Sequence, residues 1–73
     1  MDSPALRKNT VETLALLVER YPNVPVGRII ADATQQGGRS MFDTAYVNDA
    51  DFARGLNQLF VTYTQLEAAG IKP

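Results

Sequence analysis

The sequence predicts an all-α fold: one small domain over residues 1–73, three helices with a long C-terminal one, and association into an oligomer. Three observations carry that prediction. Phe52, Leu56, Leu59, Tyr63 and Leu66 advance in steps of 4, 3, 4 and 3, the spacing of a coiled-coil seam on one helix face. Val26, Ile29, Ile30 and Ala33 repeat at i, i+3, i+4 and i+7, a second helical stripe. Proline and glycine stand where helices begin and end, at Pro4, Pro22, Pro25, Gly37-Gly38 and Gly70.

The first helix is expected from Pro4 to Arg20. Ser3 can cap it and Pro4 can occupy its first position. Asn9 with Glu12 offers a second start, in the pattern of a capping box. At the helical period, Leu6, Val11, Leu14, Leu17, Val18 and Tyr21 share one side, and Lys8, Glu12 and Glu19 the other. Leu16 points away from the apolar side and is a candidate second contact surface. Tyr21-Pro22 ends the helix, because the residue before a proline is pushed out of the helical region.

The second helix is expected from Pro25 to Gln36, with Arg28 and Asp32 paired at i, i+4 and Gly37-Gly38 stopping it. The link over 39–48 reads as irregular or briefly extended. Met41, Phe42, Tyr46 and Val47 make it too apolar for a free loop, so Phe42 and Tyr46 are expected to pin it onto the helices. The third helix runs from Asp49 to Ala69. Asn48 caps it, Asp49 and Asp51 sit at the positive end of its dipole, and Gly70 ends it.

Composition narrows the chemistry. A chain of 73 residues buries only about 60% of its unfolded surface, so domains of this size usually need a disulfide, a metal or a partner. There is no Cys for a disulfide or thiolate site, and no His, the commonest metal ligand and general base. Association is the aid that remains. The net charge of −1, with both signs mixed along the chain, gives no general attraction to nucleic acid. No run of about 18 apolar residues could span a membrane. Met1-Asp2-Ser3-Pro4 lacks the basic and apolar parts of a signal peptide, so the expected compartment is the cytoplasm.

Gly55, Thr62 and Ala69 recur every seven residues along one flank of the third helix. Small side chains there admit a close neighbour, either helix 1 of the same chain or a second copy. Asp49-x-Asp51 reads as helix capping, since residues at i and i+2 do not face each other, and no metal is expected. Gly37-Gly38-Arg39-Ser40 could hold an anion with backbone amides, a guanidinium and a hydroxyl, although the negative end of a helix dipole opposes it. If Arg28 and Arg39 converged near Tyr46 or Tyr21, they would form a nucleotide pocket at a subunit boundary. Helices 1 and 2 also fit a helix-turn-helix whose reader would present Arg28, Asp32, Gln35 and Gln36. Asp32 and the acidic balance oppose that reading. No pair of residues is arranged for nucleophilic or acid–base catalysis, so the chain is not expected to be an enzyme.

Two segments carry a resemblance. One is Tyr21-Pro22 followed by Val26-Gly27-Arg28-Ile29-Ile30-Ala31-Asp32-Ala33; the other is Ala45-Tyr46-Val47-Asn48-Asp49-Ala50-Asp51-Phe52. Together they resemble a pattern in short, uncharacterised bacterial and phage helical proteins. The resemblance implies a small prokaryotic or viral protein, and small phage proteins of this kind often bind and block a host component. It implies no particular mechanism.

The expected function is that of a non-catalytic binding protein that needs no cofactor, self-associates through its third helix and engages another macromolecule. Phe52, Gly55, Leu56, Leu59, Tyr63 and Leu66 are the expected interface. On this reading Leu59→Asp breaks both association and folding. The alternative is a binder of a nucleotide or other small anion, with Arg28, Arg39, Ser40 and Tyr46 as contacts. Helix-turn-helix binding of DNA is a further alternative.

Overall fold

The computed structural model describes residues 4–73, apart from the side chains of 41–43. The described residues form three α-helices, α1 (Pro4–Arg20), α2 (Val26–Gln36) and α3 (Asp49–Ala68), and a short 3-10 helix over Met41–Tyr46. The fold class and the helix ranges agree with the sequence reading to within one residue at each end. Ser3, the expected first cap, lies outside the described residues.

The helix ends follow from local chemistry. The Asn48 side chain accepts from the Asp51 amide at 2.8 Å, the N-cap that the sequence announced. At the end of α3, Ile71 N–H reaches back to Leu66 O and Gly70 N–H to Glu67 O, the double closure of a Schellman motif. The same pair of bonds, Arg39 to Thr34 and Gly38 to Gln35, closes α2. Gly70 and Gly38 sit at φ 77° and 95°, where a side chain would be strained.

α3 is the wall against which both shorter helices pack. Leu17 and Tyr21 from α1, Val24 from the turn, Ile29 and Ala33 from α2, and Leu56, Leu59 and Tyr63 from α3 form the core. Two threonines join this interior. Thr10 donates its hydroxyl to Leu6 O at 2.7 Å, and Thr34 donates to Ile30 O at 2.9 Å, so neither hydroxyl is left unbonded.

α2 meets α3 backbone to backbone. A Cβ added to Gly55 would overlap the carbonyl oxygen of Ala33 and come within 2.8 Å of Gly37 N. The helical cost of a mid-helix glycine, about 1 kcal/mol, is offset by this close approach. Arg54 then donates to Gly37 O at 3.0 Å and to Asp51 at 3.0 Å, tying the end of α2 to the first turns of α3.

Four expectations need correction. The neighbour seated at Gly55 is the end of α2, not α1, and the small flank is used only there: Thr62 is half-buried and Ala69 exposed. Val11, expected on the buried side of α1, is 66% exposed, because the buried arc centres on Leu17 and Thr10 and Val11 lies about 120° away from Leu17 at 100° per residue. The 39–48 link carries a 3-10 helix rather than an extended piece, held to α2 by a 3.1 Å bond between the Thr44 and Thr34 hydroxyls. Tyr46 does not pin that link; it is 76% exposed, and among the described side chains there Thr44 and Val47 are half-buried. The side chain of Phe42 lies outside the described residues.

The two kinds of glycine in these helices separate in a stability experiment. Gly55→Ala should lower unfolding free energy by about 1–3 kcal/mol, since α2 and α3 must part. Gly27→Ala, where an added Cβ meets nothing within 4 Å, should be neutral or stabilise by up to about 1 kcal/mol. Urea unfolding of both variants checks the contrast.

Candidate interaction surface

Two tyrosines hold the C-terminal half of α3 to its neighbours. Tyr21 Oη donates to Glu67 Oε1 at 2.7 Å, Arg20 Nη2 lies 3.5 Å from the same oxygen, and Arg20 Nε donates to Tyr21 Oη at 3.3 Å. On the other side, Tyr63 Oη donates to Asp32 Oδ2 at 2.8 Å, and Arg28 Nε lies 3.5 Å from that oxygen. The two rings meet edge to face, 5.0 Å between centroids at 79°. Each group therefore joins one Arg, one carboxylate and one phenol. The guanidinium of Arg20 also lies over Phe60, 5.6 Å from its ring centroid.

This arrangement bears on the anion and DNA readings. Arg28 is already paired with Asp32, and Asp32 also accepts from Tyr63, so two of the four expected DNA-reading side chains are engaged within the chain. Arg28 lies in the first turn of α2 and Arg39 beyond its last, so at 1.5 Å per residue the helix holds them more than about 12 Å apart. The backbone amides of Gly37, Gly38 and Arg39, which an anion would require, donate instead to Ala33, Gln35 and Thr34. Arg39, Ser40 and Tyr46 are all exposed. The four expected anion contacts are not brought together.

The α3 seam is also placed. Gly55, Leu56, Leu59 and Tyr63 are buried inside the one chain, and Phe52 and Leu66 are half-buried against the same core. As a face for a second copy they are covered by α1 and α2. Asp49 and Asp51 are likewise used locally, Asp49 with Arg7 at 3.6 Å and Asp51 with Arg54 and the Asn48 cap.

What lies open is elsewhere. A cleft of about 360 Å³ runs between the end of α1 and the end of α3, edged by Arg20, Tyr21, Glu67, Ile71 and Lys72. Among its polar members, Arg20 and Glu67 are paired with each other. A second cleft, of about 290 Å³, opens between α1, α2 and the start of α3. Leu14, Ile30, Val47 and Phe52 give it an apolar lining, with Thr44 and Asp49 the polar members. Val11 stands one turn before Leu14 on the same side of α1 (i, i+3) and is among the most exposed large apolar residues, with Leu16 (56%) on a different face. Sequence reasoning found Leu16 but missed Val11. The signal was present: the apolar residues of α1 cover too wide an arc for one buried stripe.

Comparison with known proteins found no matching protein-family model, no matching curated protein and no matching solved structure. Among the described residues, no helix is long and apolar enough to cross a membrane.

Tyr63 makes stability depend on alkaline pH. Burial first, then the bond to Asp32 and its charge, push its hydroxyl up to about 12 from 10.0. A phenol whose folded value lies above its unfolded value adds stability in full below pH 10 and loses it as pH rises through 12. Unfolding free energy should fall between those limits by at most about 2–3 kcal/mol. Tyr63→Phe should cost about 1 kcal/mol at neutral pH and flatten the fall, as read by urea unfolding from pH 8 to 12.

Proposed function

We propose that this chain is a non-catalytic binding protein, acting in the cytoplasm, that engages another polypeptide through the open side of α1 and the cleft beside it. One observation supports the reading above others. The seam of α3 is closed within the chain, while the cleft of Leu14, Ile30, Val47 and Phe52 stays open and the exposed Val11 stands one helical turn before Leu14. An apolar pocket with a protruding apolar neighbour suits a protein surface, where a few buried anchors dominate affinity.

The polar side chains favour the same reading. Arg20, Arg28, Asp32, Glu67, Tyr21 and Tyr63 are bonded to one another, within α2 and across the helix contacts. Such pairs fix geometry and offer no poised reactive group. That binding would block the partner, as small phage proteins often do, rests on the resemblance alone.

A photoreactive residue at position 11 tests the surface, with position 61 as the control. Val61 is also exposed but lies on α3, away from the cleft. Crosslinking in a host cell should give adducts to a polypeptide, a second copy included, from position 11 and few from position 61. Equal labelling from both, or none from position 11, would remove the reading.

A further inference from the structure

We propose that the Arg39–Ser40 bond is a cleavage site for an arginine-specific endoprotease, and that the cut chain stays folded as two pieces. This inference stands apart from the binding reading above. Gly38, Arg39 and Ser40 are all exposed, between the end of α2 and the 3-10 helix. A Cβ added to Gly38 would meet nothing within 4 Å, so the segment has room around it for an enzyme. Exposed connections of small and polar residues are where proteolytic nicking concentrates. An arginine-specific protease holds a carboxylate in its pocket, and the substrate must bring a guanidinium to it. Arg7, Arg20, Arg28 and Arg54 each have an acidic partner in the chain. Among the described residues, Arg39 enters no ion pair. Arg7, Lys8, Arg20, Arg28 and Arg54 also lie in helices, which must unwind to enter an active site. Lys72 is followed by Pro73, whose ring and missing N–H suit a protease cleft poorly.

A protease takes its substrate extended, so the segment must open locally before it is cut. Arg39 N–H donates to Thr34 O at 3.2 Å and Gly38 N–H to Gln35 O at 3.0 Å, the closing bonds of α2. The 3-10 helix that follows has poorer hydrogen-bond geometry than an α-helix, and the 3.1 Å bond between the Thr44 and Thr34 hydroxyls ties it to α2. Gly37 is the fixed end of the segment, buried, with its carbonyl accepting from Arg54 at 3.0 Å. Opening can therefore stop at Gly37 and leave the helices in place. Hydrolysis then breaks the Arg39–Ser40 C–N bond. The hydroxyl of water ends on the Arg39 carbonyl carbon and its hydrogen on the Ser40 nitrogen, giving a carboxylate and an amine. The cut separates α1 and α2 from α3 in the chain but not in the fold. The contact of Ala33 with Gly55, the Tyr21–Glu67 and Tyr63–Asp32 bonds and the Arg54–Gly37 bond all join one piece to the other.

The test is limited digestion of the native full chain with trypsin, followed in time by mass spectrometry. The first products should end at Arg39 and begin at Ser40. They should leave a sizing column together, with the helical circular dichroism kept. Arg39→Gln should slow the first cut about tenfold or more. Thr44→Val removes the hydroxyl tie and should speed this one cut about fivefold, because cleavage follows the population of the open segment. Thr44→Ser keeps the hydroxyl and should be cut at close to the wild-type rate. Thermal unfolding checks that each variant is folded. A first cut after Lys8 or Arg20 overturns the proposal, and so do pieces that part or unfold once cut. A Thr44→Val chain cut no faster, or cut faster at every site alike, overturns it too. None of these outcomes touches the crosslinking result from position 11, so the binding reading stands or falls separately.

Discussion

The contact on which the rest of the structure depends is the approach of α2's last turn to Gly55. No side chain separates the Ala33 carbonyl from α3 there, so the two helices touch at the main chain. That distance sets how deep Ile29 and Ala33 sit, and therefore how completely Leu56 and Leu59 are covered. It also brings Gly37 within reach of Arg54, which bonds its carbonyl. With α2 fixed in this way, α1 closes the remaining side of α3 through Leu17 and Tyr21.

From this geometry the surface follows. α3 gives its apolar stripe to the interior, and the carboxylates of Asp32 and Glu67 give their charge to tyrosines and arginines across the helix contacts. α1 is different. It has too many apolar residues for the side it buries, and the surplus remains at Val11, Leu16 and part of Val18. In a chain of this size such a surplus costs stability while it stays in water.

The helices were legible in the sequence because their signals are local. Asn48, Pro25, Gly38 and Gly70 act on the residues beside them, and the apolar period of α2 and α3 needs no knowledge of the partner. The partner of Gly55 was not legible. A mid-helix glycine announces a close neighbour without saying which, and only the path of the chain through Pro22–Pro25 brings the end of α2 there. The face of α1 was misread at Val11 because an amphipathic pattern gives the direction of the apolar side but not its width. For the 39–48 link, apolar content announced contact with the helices. It could not show that the Thr44 hydroxyl, rather than the Tyr46 ring, makes the tie. Within one chain the expected anion contacts stay apart, because Arg28 starts α2 and Arg39 follows its end.

The two tyrosine groups have a consequence for how the fold breathes. Both latch onto the last third of α3, through Tyr63 and Glu67, and one reaches the α1–α2 turn and the other the middle of α2. Fraying of α3 from its C-terminal end would therefore release Tyr21 and its turn along with it. By this linkage the amides of Tyr63–Gly70 and of Tyr21–Val24 should open together in hydrogen exchange, and those around Gly55, closed by backbone contact, should open later.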